Sequence, residues 1–232
     1  MKLICLPYAG GTASVFAQLK DLLKNEMEVE SIEYRGHGFK RGEPFYTTFD
    51  DMVQDVAEQV NMLASETFIL FGYSMGAVVA YELLAQGRLR RQPAGVMLIS
   101  HEAPDGNWES KTYYRETDAS FFDRVQQMGG LKNVSKEQLE NRFFRMMFFE
   151  PLRKDYRLLA GYRCTGSYQV QCPCTILYSP NDIKREKIER WKLFTKCDPR
   201  IRALGPDHFL LRGEPEAVVS EVHRLIKTYN IR

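Results

Sequence analysis

Ser74 stands at the centre of Gly72-Tyr73-Ser74-Met75-Gly76, between an apolar run, Thr67–Phe71, and a segment with helical spacing, Met75–Gln86. A strand that turns sharply into a helix at a serine holds the hydroxyl clear of the sheet. Small residues two positions to either side let the backbones approach closely enough for that turn. The helix N-terminus brings free N–H groups and the positive end of the helix dipole to the same place, which favours an oxygen that is becoming negative. This is the chemistry of a serine attacking a carbonyl, and it calls for a base and an acid. An ordinary glycine-bounded turn is the bland alternative, and the strand and helix on either side weigh against it.

The chain has four histidines. An elbow serine of this kind is followed in the chain first by its acid and then by its base. His37 precedes Ser74, His101 follows the run Val96–Ser100 too closely for an acid to come before it, and His223 falls inside an amphipathic helix. His208 remains, in Gly205-Pro206-Asp207-His208-Phe209, just after the last apolar run, Ile201–Leu204. For the acid, Asp182 follows Thr175–Tyr178 through Ser179-Pro180-Asn181, where a loop at the same sheet edge would fall. Asp198 precedes the final strand and so belongs to the opposite edge. Asp207 is adjacent to the histidine, and its side chain would point elsewhere. The competing role for Asp182 is the N-cap of a helix starting at Lys184. An oxyanion needs two donors: the backbone N–H of Met75, and one from the loop Leu6-Pro7-Tyr8-Ala9-Gly10-Gly11, where Ala9 is preferred and Tyr8 is the alternative. The glycine spacing there does not fit a phosphate-binding G-x-G-x-x-G loop.

These residues need a frame that gathers them. The 232 residues are 44% hydrophobic and 27% charged, enough for a sizeable core in one α/β domain. The net charge of +2 is too even for a protein that coats nucleic acid, and the apolar runs are far shorter than the ~20 residues that cross a bilayer. Met1–Leu6 ends at Pro7 and reads as a buried first strand, not an export signal. Five cysteines without a C-x-x-C pair suggest reduced thiols and a cytoplasmic protein. Strands are predicted at Leu3–Leu6, Val29–Tyr34, Phe68–Phe71, Val96–Ser100, Thr175–Tyr178 and Ile201–Leu204. Helices are predicted at Ser14–Lys24, Phe49–Ser65, Met75–Gln86, Lys184–Thr195 and Pro215–Tyr229. This alternation predicts a mostly parallel sheet flanked by helices. From His101 to Val170 no strand is evident, only helical stretches at Ala119–Met128, Ser135–Phe148 and Leu152–Tyr162. The expected organisation is therefore one domain over 1–232 with a helical lid inserted at about 101–170.

The elbow and the Asp and His loops are accompanied by Leu6–Gly11, by Arg35-Gly36-His37-Gly38 and by Gly42-Glu43-Pro44. In this order and spacing the chain resembles, over most of its length, the type II thioesterases that accompany non-ribosomal peptide and polyketide synthases. The resemblance implies an α/β-hydrolase fold with a mobile helical lid. It also implies hydrolysis of acyl groups from the phosphopantetheine thiol of acyl or peptidyl carrier proteins, which are usually acidic, in clearing stalled synthases. It maps nucleophile, acid and base to Ser74, Asp182 and His208. No metal or organic cofactor is expected, nor any nucleic-acid or membrane partner, and a monomer is the default. The same three residues would serve a carboxylesterase or lipase-like enzyme equally well, and a non-catalytic module of the same fold is a third reading. The run Phe143–Phe149 is expected to be more core than substrate lining, and Arg88, Arg90 and Arg91 to be a solvated helix end far from the mouth. The role of His37 is left open.

Overall fold

Short segments that are apolar throughout can be buried on both faces only as the middle layer of a structure. In the computed structural model such segments form the middle of one six-stranded parallel sheet, whose two edge strands, Glu28–Ser31 and Arg200–Ala203, carry polar residues and are partly exposed. The residues described are 1–106, 108–164, 166 and 168–231, with the side chains of 109–111 left aside; the expected insertion thus includes positions 107, 165 and 167, which lie outside the described residues. The strands are β1 (Lys2–Leu6), β2 (Glu28–Ser31), β3 (Phe68–Tyr73), β4 (Gly95–Ile99), β5 (Cys174–Tyr178) and β6 (Arg200–Ala203), and they lie side by side in the order β2-β1-β3-β4-β5-β6. Every residue of β3, β4 and β5 is buried. The register pairs Leu6 with Gly72, Tyr73 with Ile99 and Tyr178 with Ala203, so the carboxyl ends of five strands share one rim.

Helices α1 (Ala17–Leu23) and α9 (Pro215–Tyr229) contribute apolar side chains to a core on one face, including Leu19, Leu23, Val218, Val222 and Leu225. Helices α2 (Phe49–Leu63) and α3 (Met75–Ala85) cover the other. Two local signals set helix limits. Thr48 and Asp51 form a reciprocal capping box that starts α2, and Pro215 occupies the first turn of α9, where its missing N–H costs no helical bond. The α9 stretch and the strand positions agree with the sequence expectations to within a residue or two, except that β2 ends at Ser31, three residues early.

The segment between β4 and β5 carries α4 (Asp118–Gln127), α5 (Arg142–Phe144) and α6 (Glu150–Gly161), with 3-10 turns at Glu109–Arg115 and Lys136–Glu140. The single helix expected over Ser135–Phe148 is broken. Asn141 is extended (φ −78°, ψ 112°) and its side chain accepts from the Phe144 N–H, because an Asn can hold the first free donor of a new helix. A π-turn over Arg145–Phe149 then leads into α6. It splits the aromatic run: Phe144 and Phe149 enter the core, while Phe143, Met146 and Phe148 are exposed. The remaining helices are α7 (Arg185–Glu189), extended by a 3-10 turn over Arg190–Phe194 in place of one longer helix, and the short α8 (Leu210–Gly213), which the sequence analysis did not anticipate.

Candidate active site

β3 ends in the turn that holds Ser74. Its φ of 52° and ψ of −115° put a non-glycine residue in a sparsely populated region, a strain of about 1–3 kcal/mol. The Ser74 N–H donates to the Ile99 carbonyl at 2.7 Å, and its own carbonyl accepts from the Ala77 N–H at 2.8 Å, so sheet and helix together hold the turn. The flanking glycines are required by space. A Cβ on Gly72 would strike the Gly76 carbonyl and lie 2.7 Å from Ala77 Cα. One on Gly76 would strike the Leu6 carbonyl and lie 2.9 Å from that of Pro7.

His208 Nε2 is 2.9 Å from Ser74 Oγ, and His208 Nδ1 is 2.6 Å from Asp182 Oδ2. The carboxylate can only accept, so Nδ1 carries the proton and Nε2 is left to accept from the serine hydroxyl. The loops that bring these groups together are tied to each other. Ser179 Oγ donates to the Gly205 carbonyl and Asn181 Nδ2 to that of Pro206, both at 3.1 Å, locking the acid loop against the histidine loop. Gly205 takes φ +67° at that corner. The His208 carbonyl accepts from Tyr73 Oη at 3.1 Å and from Ser100 Oγ at 2.9 Å, which seats the imidazole beside the elbow.

The alternatives considered in sequence lie elsewhere. Asp182 does not cap α7, whose N-cap position is Lys184. Asp207 faces Lys132 Nζ at 2.5 Å and the Phe209 N–H at 2.8 Å, and Asp198 is exposed. His223 sits on α9 at 2.6 Å from Glu26, and His101 packs edge-on against Trp108. Arg88 is joined to Asp50 of α2 at 2.5 Å, at the end of α3 away from the elbow.

After β1 the loop Pro7–Gly11 passes close to α3. The Pro7 carbonyl accepts from Tyr34 Oη at 2.9 Å, and that of Tyr8 from the Gly11 N–H at 2.8 Å. Among the described residues no acceptor takes the N–H of Ala9 or of Met75, the first residue of α3. The loop borders a cavity of about 450 Å³, lined also by Leu131, Phe148 and Leu152 and by Tyr73 and Phe209, the chain neighbours of the serine and the histidine. On the other flank of α6 lies a cleft of about 850 Å³ whose lining includes Arg115, Lys154, Arg157 and Arg163. Among the described residues none of these four cations is paired with a carboxylate.

Sequence reasoning left His37 without a role, and the structure places it at 1% exposure beside Asp155 of α6, at 3.0 Å. Burial alone would lower its pKa. The Asp155 charge and hydrogen bond, the Arg35 carbonyl and Glu33 outweigh that and raise it from 6.5 to about 8. The Arg-Gly-His-Gly pattern was the only signal for this histidine. Its partner, 118 residues away, left none.

No helix among the described residues is long and apolar enough to cross a membrane. RedJ, a thioesterase from the prodiginine biosynthetic pathway of Streptomyces coelicolor, is 27% identical and superposes with a TM-score of 0.80, covering 97% of this chain and 89% of that one. ClbQ of the colibactin NRPS/PKS pathway has a TM-score of 0.88 over 99% of this chain and 98% of its own, at 24% identity, which speaks for a shared α/β-hydrolase fold. Among curated sequences, the gramicidin S biosynthesis protein GrsT of Aneurinibacillus migulanus is 26% identical over 215 residues, 91% of this chain and 83% of GrsT. The model of the thioesterase domain matches residues 1–226, and the chain therefore belongs to the thioesterase domain family.

Proposed function

We propose that this thioester hydrolase removes acyl groups from the phosphopantetheine thiol of carrier proteins in a non-ribosomal peptide or polyketide pathway, through Ser74, His208 and Asp182. The observation that carries the proposal is the unbroken chain of hydrogen bonds from the Ser74 hydroxyl through His208 to Asp182. Family membership and the similarity to biosynthetic thioesterases support the substrate class.

Ser74 Oγ bonds to the thioester carbonyl carbon as its proton passes to His208 Nε2, and the carbonyl oxygen becomes an oxyanion facing the N–H groups of Met75 and Ala9. Asp182 stays ionised, fixes the tautomer and stabilises the imidazolium. Collapse of the tetrahedral adduct breaks the carbon–sulfur bond, and His208 returns the proton to the departing thiolate. Water then attacks the acyl-serine, giving a proton to His208 that goes back to Ser74 Oγ as the carboxylic acid leaves. Cleavage needs nothing beyond these groups and water. The helical segment between β4 and β5 acts as the lid, and the acyl chain occupies the 450 Å³ cavity beneath it. An acidic carrier is matched by charge to the cleft carrying Arg115, Lys154, Arg157 and Arg163.

The test is intact-mass measurement of acyl-loaded carrier protein before and after incubation with wild type and Ser74→Ala. Loss of the acyl mass with the first and its retention with the second is expected. Equal deacylation by both removes Ser74 from the mechanism. Strong preference for a matching oxygen ester over the thioester turns the assignment toward a carboxylesterase.

A further inference from the structure

We propose that Asp155 of α6 is a positioning residue for the oxyanion loop, and that His37 is the cation that keeps it ionised there. The inference rests on the reading of Ala9 as an oxyanion donor.

Three successive restraints hold the loop. Tyr34 Oη fixes the Pro7 carbonyl, the Gly11 N–H fixes the Tyr8 carbonyl, and Asp155 Oδ2 accepts from the Gly10 N–H at 2.7 Å. The last two lie on the peptide planes before and after the Ala9 Cα, so they set both dihedrals of the donor residue. The first partner comes from the segment that follows β2, and the second from the loop itself. The third comes from the segment between β4 and β5, which means that the lid helix itself completes the loop. Gly10 has φ +73°, and a Cβ there would stand 2.8 Å from Leu152 Cβ, so α6 lies directly on the loop.

The same Asp155 oxygen is 3.0 Å from His37 Nε2, while His37 Nδ1 is 2.9 Å from the Arg35 carbonyl. With Asp155 ionised, both partners of the ring are oxygens that only accept, so both ring nitrogens donate and the imidazole is charged. Asp155 and His37 side chains are each 1% exposed, and among the described residues Asp155 Oδ1 has no hydrogen-bond partner. A carboxylate this deeply buried persists only with a counter-charge. The other groups facing His37 are the Glu33 carboxylate, which accepts from the Ala13 N–H at 3.0 Å, and the rings of Tyr34 and Phe45. Lys40 interacts with Glu33. When His37 loses its proton, one ring nitrogen turns a lone pair toward an oxygen. The Asp155 bond to Gly10 then loses its support. The pair thus couples lid seating to the geometry of the oxyanion donor, with an alkaline limit near the point where His37 titrates, about 8.

The experiment measures kcat and KM on an acyl-pantetheine thioester, and the affinity of an acyl trifluoromethyl ketone that mimics the tetrahedral adduct, for wild type, Asp155→Ala, Asp155→Asn and His37→Gln. Asp155→Ala is expected to lower kcat by about 10- to 100-fold with KM little changed, and to weaken the ketone in proportion. Asp155→Asn, which keeps an oxygen for the Gly10 N–H, recovers part of that loss. The alkaline fall of kcat in wild type disappears in His37→Gln. A folded Asp155→Ala with wild-type kcat and ketone affinity overturns the proposal, and a change in KM alone reduces Asp155 to lid packing. If Asp155→Ala fails to fold, NMR of the wild-type imidazoles still decides: a His37 ring that is neutral at pH 6.5 overturns it, and one doubly protonated there supports it. Ser74→Ala separates the two readings, since activity surviving that change defeats the proposed function and leaves the position of Asp155 untouched.

Discussion

Gly76→Ala probes the closest approach in the site. Gly76 lies in the first turn of α3, where an added Cβ would collide with the Leu6 carbonyl oxygen and sit 2.7 Å from the Leu6 carbonyl carbon. Relief requires β1's end and α3 to part by on the order of 1 Å, since packed backbone has little room to yield. The part that moves is the Leu6–Pro7 backbone, which leads into Ala9, relative to the helix that carries Ser74 and Met75. A displacement of that size costs about 100-fold in kcat. On stability, the helix gains about 1 kcal/mol from Gly to Ala and loses about 1–3 kcal/mol to overpacking, a net loss of about 0–2 kcal/mol. For a chain of this length that is a fall in Tm of up to about 8 °C. The assay pairs kcat on an acyl-pantetheine thioester with thermal unfolding of the same preparation. Gly87→Ala is the control. Gly87 has φ +63° and open space around its Cβ position, so the change strains the backbone past the far end of α3 without touching the site. It should lower Tm and leave kcat alone. A Gly76→Ala enzyme with kcat within threefold of wild type and an unchanged Tm would refute the steric argument.

Asp182→Asn is expected to lower kcat by about 10⁴-fold, because the amide presents the wrong partner to His208 Nδ1. Asp207→Asn, one residue from the same histidine but facing Lys132, should cost less than about 1 kcal/mol of stability and little activity; equal losses for both would undo the assignment of the acid. His37, raised from 6.5 to about 8 in the folded state, adds stability that is fully present below pH 6.5 and fades as pH rises through about 8. The shift amounts to about 2 kcal/mol, read as a drop in urea midpoint between pH 6.5 and pH 9 that Asp155→Asn abolishes; the same drop in the variant would locate its source elsewhere. Reversing charge at Lys154 and Arg157 together should raise KM for acyl-carrier protein about tenfold, in a salt-dependent way, and leave KM for acyl-pantetheine in place. Parallel increases for both substrates would mean that the cleft does not receive the carrier.

Much of the frame was legible in the chain, because its causes are local. A buried parallel strand is a short run without polar faces, and a helix start is a capping box or a proline in the first turn; both signals sit within a few residues. Phe68–Tyr73 and Pro215–Tyr229 could be read in this way. The break at Asn141 could not, since periodicity over Ser135–Phe148 continues through a residue whose side chain prefers to cap a new turn. Ser74, Asp182 and His208 were singled out by the strand that each follows. The distances that join them depend on how Ser179, Asn181 and Gly205 tie two loops together across the rim.

By itself the sequence determined that a serine elbow would stand at the end of a buried strand, with an aspartate and a histidine after later strands at the same rim, because chain order, apolar runs and glycine placement are written residue by residue. Only the tertiary structure decided that His37 and Asp155 share a dry pocket and that a helix from the segment between β4 and β5 bonds to Gly10. Such a buried ion pair has no periodicity and no fixed spacing. It exists because the packing of α6 against the loop after β1 excludes water and brings the two charges within 3.0 Å of each other.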